Sequence, residues 1–423
     1  MTIIRGMNTM QQFGFIFVKS LFVPEGSDFE TSMASYTEAL KQLGGVEWTT
    51  ENLDDTKPLV YFMTTGGTEQ ELLNIREQRS KAVSDEPVLV VAHPAHNSLP
   101  ASLEVLARLQ QEGAQGQVLY LNSSSDKPGL QKIQDVLIDF QVSSELKQSR
   151  IGLLGTPSDW LVASSPNHSI IKETWGPDIV TVSLDEINSL IKDVVEDTIP
   201  AVRDPLVKGA TEIQEPSPAE LDDVVRVYLA LKQVVKKYEL DALTLRCFDL
   251  VLGLETTGCF GLSQLTDDGV IAGCEGDLVS TVGLMWAQKL TGQTPWMANP
   301  AQLDEVGNKI ILAHCTVPRS MVQDYGLRSH FESNLGVGIQ GTIANGPVTL
   351  LRIGGKKMEQ LWVAEGEIIQ SGKAENLCRT QVEIKITEGQ ISDLLESPLG
   401  NHLVMIQGHH LKRLQGWWKQ MIA

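Results

Sequence analysis

Basic residues are scarce. Against 53 Asp and Glu the 423-residue chain carries only 34 Lys and Arg, a net charge of −19 spread along its length rather than gathered in an acidic tail. Such a surface repels phosphate backbones and anionic lipid, so neither nucleic acid nor membrane is expected as a partner. A small neutral substrate, or one whose binding a cation assists, fits better. Long apolar runs are missing too. The N-terminal run Phe13 to Val18 is too short to span a bilayer and is followed by Lys19 rather than by a small-residue cleavage site. No targeting signal is expected. Cysteine is sparse and odd in number: Cys247, Cys259, Cys274, Cys315 and Cys378 have no C-x-x-C spacing that would mark a zinc site or a redox pair. A reducing cytoplasm is the simplest compartment. Both Gly-x-Gly-x-x-Gly and Gly-Lys-Ser/Thr are absent from Gly155 to Leu161, so neither a nicotinamide cofactor nor ATP is expected at that turn.

What is present is ordinary globular composition, 42% hydrophobic and 21% charged, with length for two to four domains at about 100–200 residues each. The pattern is first strand, polar loop, helix. Phe13 to Val18 precedes a helix-like stretch from Ser27 to Leu43 that stops at Gly44-Gly45. Leu59 to Met63 runs into Thr64-Thr65-Gly66-Gly67-Thr68-Glu69, and Pro87 to Ala92 into His93-Pro94-Ala95-His96-Asn97-Ser98. Parallel α/β sheets place ligands at such loops. A second set starts at Arg150, continues through an exposed loop at Thr211 to Pro218 and a periodic helix from Ala219 to Tyr238, and reaches a strand at Ala242 to Arg246. Past about residue 310 come closely spaced, Gly-punctuated strands: Gly341 to Ala344, Val348 to Ile353, Gln360 to Ala364 and Gln381 to Thr387, with a last helix from Leu411 to Met421 whose apolar face carries Trp417-Trp418. The expected architecture is α/β: two Rossmann-like doubly wound domains over 1–149 and 150–310, then a β-rich, barrel-like domain with a terminal helix over 311–423.

The chemistry-bearing residues gather late in the chain. In Gly273-Cys274-Glu275-Gly276-Asp277 an apolar strand ends on two carboxylates just ahead of a helical stretch, Leu278 to Leu290. At a strand-to-helix turn one such carboxylate points at ligand and the other caps the helix. His314 ends the run Lys309 to Ala313, His330 and Glu332 lie in Ser329-His330-Phe331-Glu332, and His402 lies in Gly400-Asn401-His402-Leu403. A carboxylate and imidazoles at separate strand ends suit a divalent ion such as Mn²⁺. For each histidine alone, a half-buried side chain with its hydrogen bonds satisfied is the commoner case. Cys247 and Cys274, which flank this region, are expected to be small packing residues.

The run Cys274-Glu275-Gly276-Asp277, with Leu290-Thr291-Gly292, His314 and Asn401-His402-Leu403-Val404 after it, resembles the L-fucose and L-arabinose isomerase family. The likeness is strongest from about Leu240 to Gly408. It implies a metal-dependent aldose–ketose isomerase of carbohydrate metabolism that works through an enediol, with Glu275 as metal ligand and acid/base residue, and His402 and His314 as metal ligands. A carboxylate would remove the C2 proton of an open-chain aldose and a second group would return it to C1. The family's trimers or hexamers make a homo-oligomer the expected assembly. Loops at the N-terminal end can cover a neighbour's site, which gives His93, His96 and Asn97 an expected substrate role alongside His330 and Glu332.

One position departs from the family. The aspartate that acts there as ligand and base, 24 residues after the glutamate, is here Asn299. A carboxamide can donate its oxygen to a metal but cannot take a proton at neutral pH. Candidates for the second base are Asp304, Asp249, Asp277 and Glu332, of which Asp249 attracts because it closes the strand before that of Glu275. The alternative function is a non-catalytic sugar-binding relative that lost its base. A third is a different metal-dependent reaction on a sugar acid or modified sugar.

Overall fold

A computed structural model describes residues 12–20, 28–83 and 86–422. It is mixed α/β, with two parallel sheets and a closed antiparallel barrel. The chain divides into two compact units, up to Val142 and from Ser143.

In the first unit five parallel strands lie in the spatial order Gly45–Glu47, Phe13–Val18, Leu59–Met63, Val88–Ala92, Gly116–Tyr120. The near-continuous apolar sequences of the three central strands follow from burial on both faces, and period two divides them. Phe13, Phe15, Val60, Phe62, Leu89 and Val91 pack with Met33, Tyr36 and Leu40 of the helix Asp28–Gln42 and with Ile133, Val136 and Leu137 of the helix Lys127–Gln148. Ile16, Val18, Leu59, Tyr61, Met63, Val88 and Val90 face the other way, onto Leu72 and Ile75 of Glu69–Ser80 and Ala101, Val105 and Leu109 of Ser98–Gln111.

The second unit begins with a four-stranded parallel sheet in the order Ile271–Cys274, Ala242–Leu245, Arg150–Leu154, Asp178–Val182. Six antiparallel strands then close a barrel: Trp296–Asp304, Lys309–His314, Thr380–Glu388, Gln360–Gly372, Gly346–Gly354 and Leu403–Gln407, which pairs back onto the first. The barrel therefore starts earlier than the change of texture near residue 310, because Pro300 and the polar end of Trp296–Asp304 hide that strand's pattern. Gly338–Thr342 belongs not to the barrel but to a three-stranded sheet with Asp324–Arg328 and Glu212–Ile213. The segment expected as an exposed loop thus contributes a short strand.

The helix Leu278–Thr291 joins the parallel sheet to the barrel. Eleven of its residues, from Leu278 to Ala287 and Leu290, are buried. It lies against the barrel at Gly283, around which Val404, Ile353 and Leu351 stand at ordinary contact distance. The terminal helix Leu411–Met421 covers its far end: Trp417 stacks on Trp175 with centroids 5.7 Å apart, and both touch Trp286. Aromatic pairs of this kind contribute about 0.5–1.5 kcal/mol each beyond their burial. The turn ahead of Leu278 is held from both ends by this packing. No helix among the described residues is long and apolar enough to cross a membrane.

Candidate metal and sugar site

Glu275 and Gly276 make the turn between Ile271–Cys274 and the buried helix in consecutive left-handed conformations, φ 63° and 73°. At Gly276 only glycine fits, because a Cβ would lie 2.7 Å from Pro157 Cα and from Thr156 O. Glu275 has no such freedom, and a non-glycine residue held there stores strain that its surroundings must offset. They do so by hydrogen bonds: the Gly276 amide donates to Leu245 O at 3.1 Å, and the Ser158 amide donates to Glu275 O at 2.9 Å. Three neighbouring strand ends thereby fix where the Glu275 carboxylate points.

Asp277 is the helix cap. Its side chain is fully buried and accepts from the Ser280 amide at 2.8 Å and the Ser280 hydroxyl at 2.7 Å. Its Oδ2 lies 2.9 Å from His402 Nδ1, and since a carboxylate only accepts, that nitrogen carries the hydrogen. Behind it stands buried Arg352, 3.4 Å from the same oxygen, which also donates to Ser164 and Ser280. Burial raises the Asp277 pKa, but Arg352 and His402 outweigh it and hold the carboxyl far below the usual range. The carboxylate fixes the ring and tautomer of His402, so that Nε2 faces Glu275 Oε1 at 3.5 Å.

His314 comes from the end of the barrel strand Lys309–His314. Its Nδ1 is 2.9 Å from the Thr316 hydroxyl and its ring centroid is 5.9 Å from that of His402. The other oxygen of Glu275, Oε2, accepts from Trp160 Nε1 at 2.6 Å. One donor atom each from Glu275, His314 and His402 falls within 4.8 Å of the others. Burial pushes His314 down to about 4. Burial works the same way on His402, yet the two carboxylates prevail and raise it to about 9. Glu275 is lowered in turn, because His402 and Trp160 outweigh its desolvation.

These groups open on a cavity of about 380 Å³ whose lining includes Trp160, Phe248, Asn299, His330, Glu332 and Asn401. Trp160, Phe248 and His330 form a continuous aromatic wall, edge to face at 5.0 and 5.6 Å. Of the expected site residues, Glu275, His314, His402, Asn299, His330 and Glu332 thus come together. Asp249 does not: it lies in the first turn of a helix, Phe248–Leu254, rather than at a strand end, and accepts from Arg246 Nε at 2.8 Å. Asp304 binds the Gly307 amide of its own turn.

His93 and Asn97 belong to the first unit. His93 is buried, and its Nε2–H donates to Thr64 O at 2.9 Å, while Asn97 is exposed and left-handed at the start of its helix. Sequence reasoning missed Trp160, for which a lone tryptophan in a polar turn offers no signal. It also missed Arg352, which offers one: a single arginine inside the apolar strand Val348 to Ile353 must be paired once buried.

No protein-family model matches the chain. The relatives it does match share one class by name, that of isomerases. They are a sulfoquinovose isomerase of Alkalicoccus urumqiensis, 22% identical over 290 residues, and sulfoquinovose isomerases of Priestia aryabhattai and Priestia megaterium, each 26% identical over 184 residues. The matches cover 65% of this chain and of the first relative, and 41% of this chain and 40% of the other two. The chain therefore spans less than two thirds of each relative's length. A crystal structure of CapF with the inhibitor 3-isopropenyl-tropolone aligns with 94% of the chain at a TM-score of 0.16 and 11% identity, too low to indicate a shared fold.

Proposed function

We propose that the chain is a metal-dependent aldose–ketose isomerase. The observation that carries this is the convergence of Glu275, His314 and His402 on the wall of a sugar-sized cavity, with His402 backed by a buried carboxylate. The likeness to sulfoquinovose isomerases supports it. Two imidazoles and a carboxylate suit a first-row transition ion such as Mn²⁺ better than the all-oxygen shells of Mg²⁺ or Ca²⁺. A bound ion of this kind supplies Lewis acidity to a sugar carbonyl. Asn299, which also lines the cavity, can add an amide oxygen.

In this reading Glu275 removes the proton from C2 of the open-chain aldose. Trp160 holds Glu275 Oε2 and orients the carboxylate. Four carboxylates were open as the second proton carrier. Asp277 is consumed by Arg352, Ser280 and His402, Asp249 by Arg246, and Asp304 by its turn, whereas Glu332 lines the cavity and is exposed. Glu332 is therefore the residue that returns the proton to C1, and the aromatic wall beside it carries the apolar face of the sugar.

A non-catalytic sugar binder is the second reading, favoured by Asn299 in the place of the family's aspartate. The two separate in heavy water. An isomerase loaded with Mn²⁺ exchanges C2 or C1 hydrogen of at least one sugar from a panel of pentoses, hexoses, deoxyhexoses and sulfoquinovose. Sugar-dependent stabilisation with no exchange across that panel would overturn the enzyme and leave the binder.

A further inference from the structure

All five cysteines of the chain are free, and all five line the cavity that holds Glu275 and His314. They come from the parallel sheet, a helix and the barrel, so adjacency in sequence does not explain the gathering. As packing residues they would be scattered through the cores. Three of them form a row, with Cys315 between Cys259 and Cys378, and Cys315 Sγ accepts the Arg379 amide at 3.5 Å. The remaining two are closer. Leu245 and Cys274 are parallel neighbours, and Cys247 lies two residues past Leu245, which brings Cys247 Sγ to 3.1 Å from Cys274 Sγ.

We propose that Cys247 and Cys274 are a redox modification site, at which a hydroperoxide entering the cavity joins the two sulfurs in a disulfide. One thiol sulfur takes a hydroxyl from the peroxide and becomes a sulfenic acid, while the other peroxide oxygen leaves as water or an alcohol. The second thiol attacks that sulfur, the S–S bond forms, and the hydroxyl departs as water with that thiol's proton. The two sulfurs together lose two electrons and the peroxide gains them. A thiol reductant reverses the step by exchange. Cavity walls give a small peroxide access that the burial of both residues denies to bulky oxidants.

The consequence falls on the neighbouring residue. Cys274 is bonded to Glu275, whose left-handed conformation and three-way hydrogen-bonded turn leave no slack. Drawing the sulfurs together from 3.1 Å moves that turn and withdraws the carboxylate from His314 and His402. This last clause rests on the metal-site reading, whereas the cross-link does not.

The test treats the Mn²⁺-loaded protein with increasing hydrogen peroxide and follows intact mass, cross-linked peptides and bound metal. The expected result is loss of two hydrogens per chain and a peptide pair holding Cys247 and Cys274. Metal affinity should fall in step by about tenfold or more, and reductant should restore mass and metal together. Cys247→Ser and Cys274→Ser should abolish the cross-link, while Cys378→Ser should keep it. Addition of oxygen without a cross-link, or a disulfide among Cys259, Cys315 and Cys378, would overturn the proposal. A protein that cross-links as expected but never takes up metal would refute the metal site instead and leave the pair standing.

Discussion

Both parallel sheets end in loops that bear histidines or carboxylates and left-handed residues, and only the second gathers such side chains around a cavity. In the first unit His96 and Asn97 are left-handed, at φ 54° and 56°, as Glu275 and Gly276 are in the second. The first loop closes on itself. His93 donates to Thr64 O, Gly66 donates to His96 O, and the Ser98 hydroxyl donates to Met63 O, so its polar atoms are spent on its own backbone. The second loop spends its backbone the same way but leaves its side chains facing one another: carboxylate, two imidazoles and an indole N–H around a shared cavity. Charge that is buried, hydrogen-bonded from behind and unspent in front is what distinguishes a site from a well-made turn.

The comparison breaks first at Glu275. Glu275→Gln keeps the shape and the Trp160 contact but removes the proton acceptor and the charged ligand of the proposed reaction. Sugar hydrogen exchange should fall about a thousandfold or more, within the span of general-base catalysis, and stoichiometric Mn²⁺ should be lost. An exchange rate within tenfold of the unmodified protein would move catalysis elsewhere. His402→Ala should lose the metal as well. Thermal unfolding gives a second readout: Mn²⁺ at a hundred times its Kd should add about 2.7 kcal/mol to the parent protein, and nothing to His402→Ala.

Asp277→Asn probes the backing rather than the front. It leaves Arg352 without its buried counter-charge, which costs about 3–5 kcal/mol when a buried pair loses one member. It also releases His402 from its tautomer, a change that weakens metal binding about 10- to 100-fold. Urea unfolding and metal titration measure the two separately. A variant of full stability would mean that the Arg352 charge is met elsewhere.

That one of the two carboxylates caps the helix was legible in the sequence, since a strand-to-helix turn of this kind puts one there, and the structure shows it to be Asp277. The terminal helix was legible to the residue, and the β-rich texture past residue 310 was legible too, but not the barrel's first strand, Trp296–Asp304. What was not legible depended on contacts across the chain. Asp249 attracted as a base because a strand was expected to reach it, but the backbone turns into a helix at Phe248, and Arg246, three residues earlier, takes the carboxylate. Trp160 reaches Glu275 from 115 residues away. Cys247 and Cys274 read as packing residues in the sequence; only the fold shows that they share one wall with the other three cysteines.

Trp160→Phe sharpens the site without emptying it. The ring keeps its edge contact with Phe248, and only the N–H to Glu275 Oε2 is lost. A hydrogen bond to a charged group is worth about 1.5–3 kcal/mol, so exchange should slow about 10- to 150-fold. If Trp160 acts by orienting the base, kcat falls while the apparent affinity for the ion holds. A loss confined to KM would make the indole a sugar platform only.

His93→Phe is the matching change in the loop that closes on itself, and its effect should be the smallest. The benzyl ring fills the same buried space beside Tyr36 and Phe62, whose centroids lie 5.6 and 5.8 Å from the imidazole. The Thr64 carbonyl loses its donor, which costs about 1–2 kcal/mol when a buried acceptor is left unpaired. That cost should appear in the unfolding of the first unit and nowhere in Mn²⁺ affinity, because the proposed ligands Glu275, His314 and His402 all lie after Ser143. The imidazole is already held neutral, its pKa lowered by burial against the opposing pull of the Thr64 carbonyl. Removing it should therefore leave the acid side of the stability profile flat or slightly improved, since below its ordinary range the native protein must keep a proton off His93 that the unfolded chain accepts. A fall in metal uptake with His93→Phe would erase the distinction between the two loops.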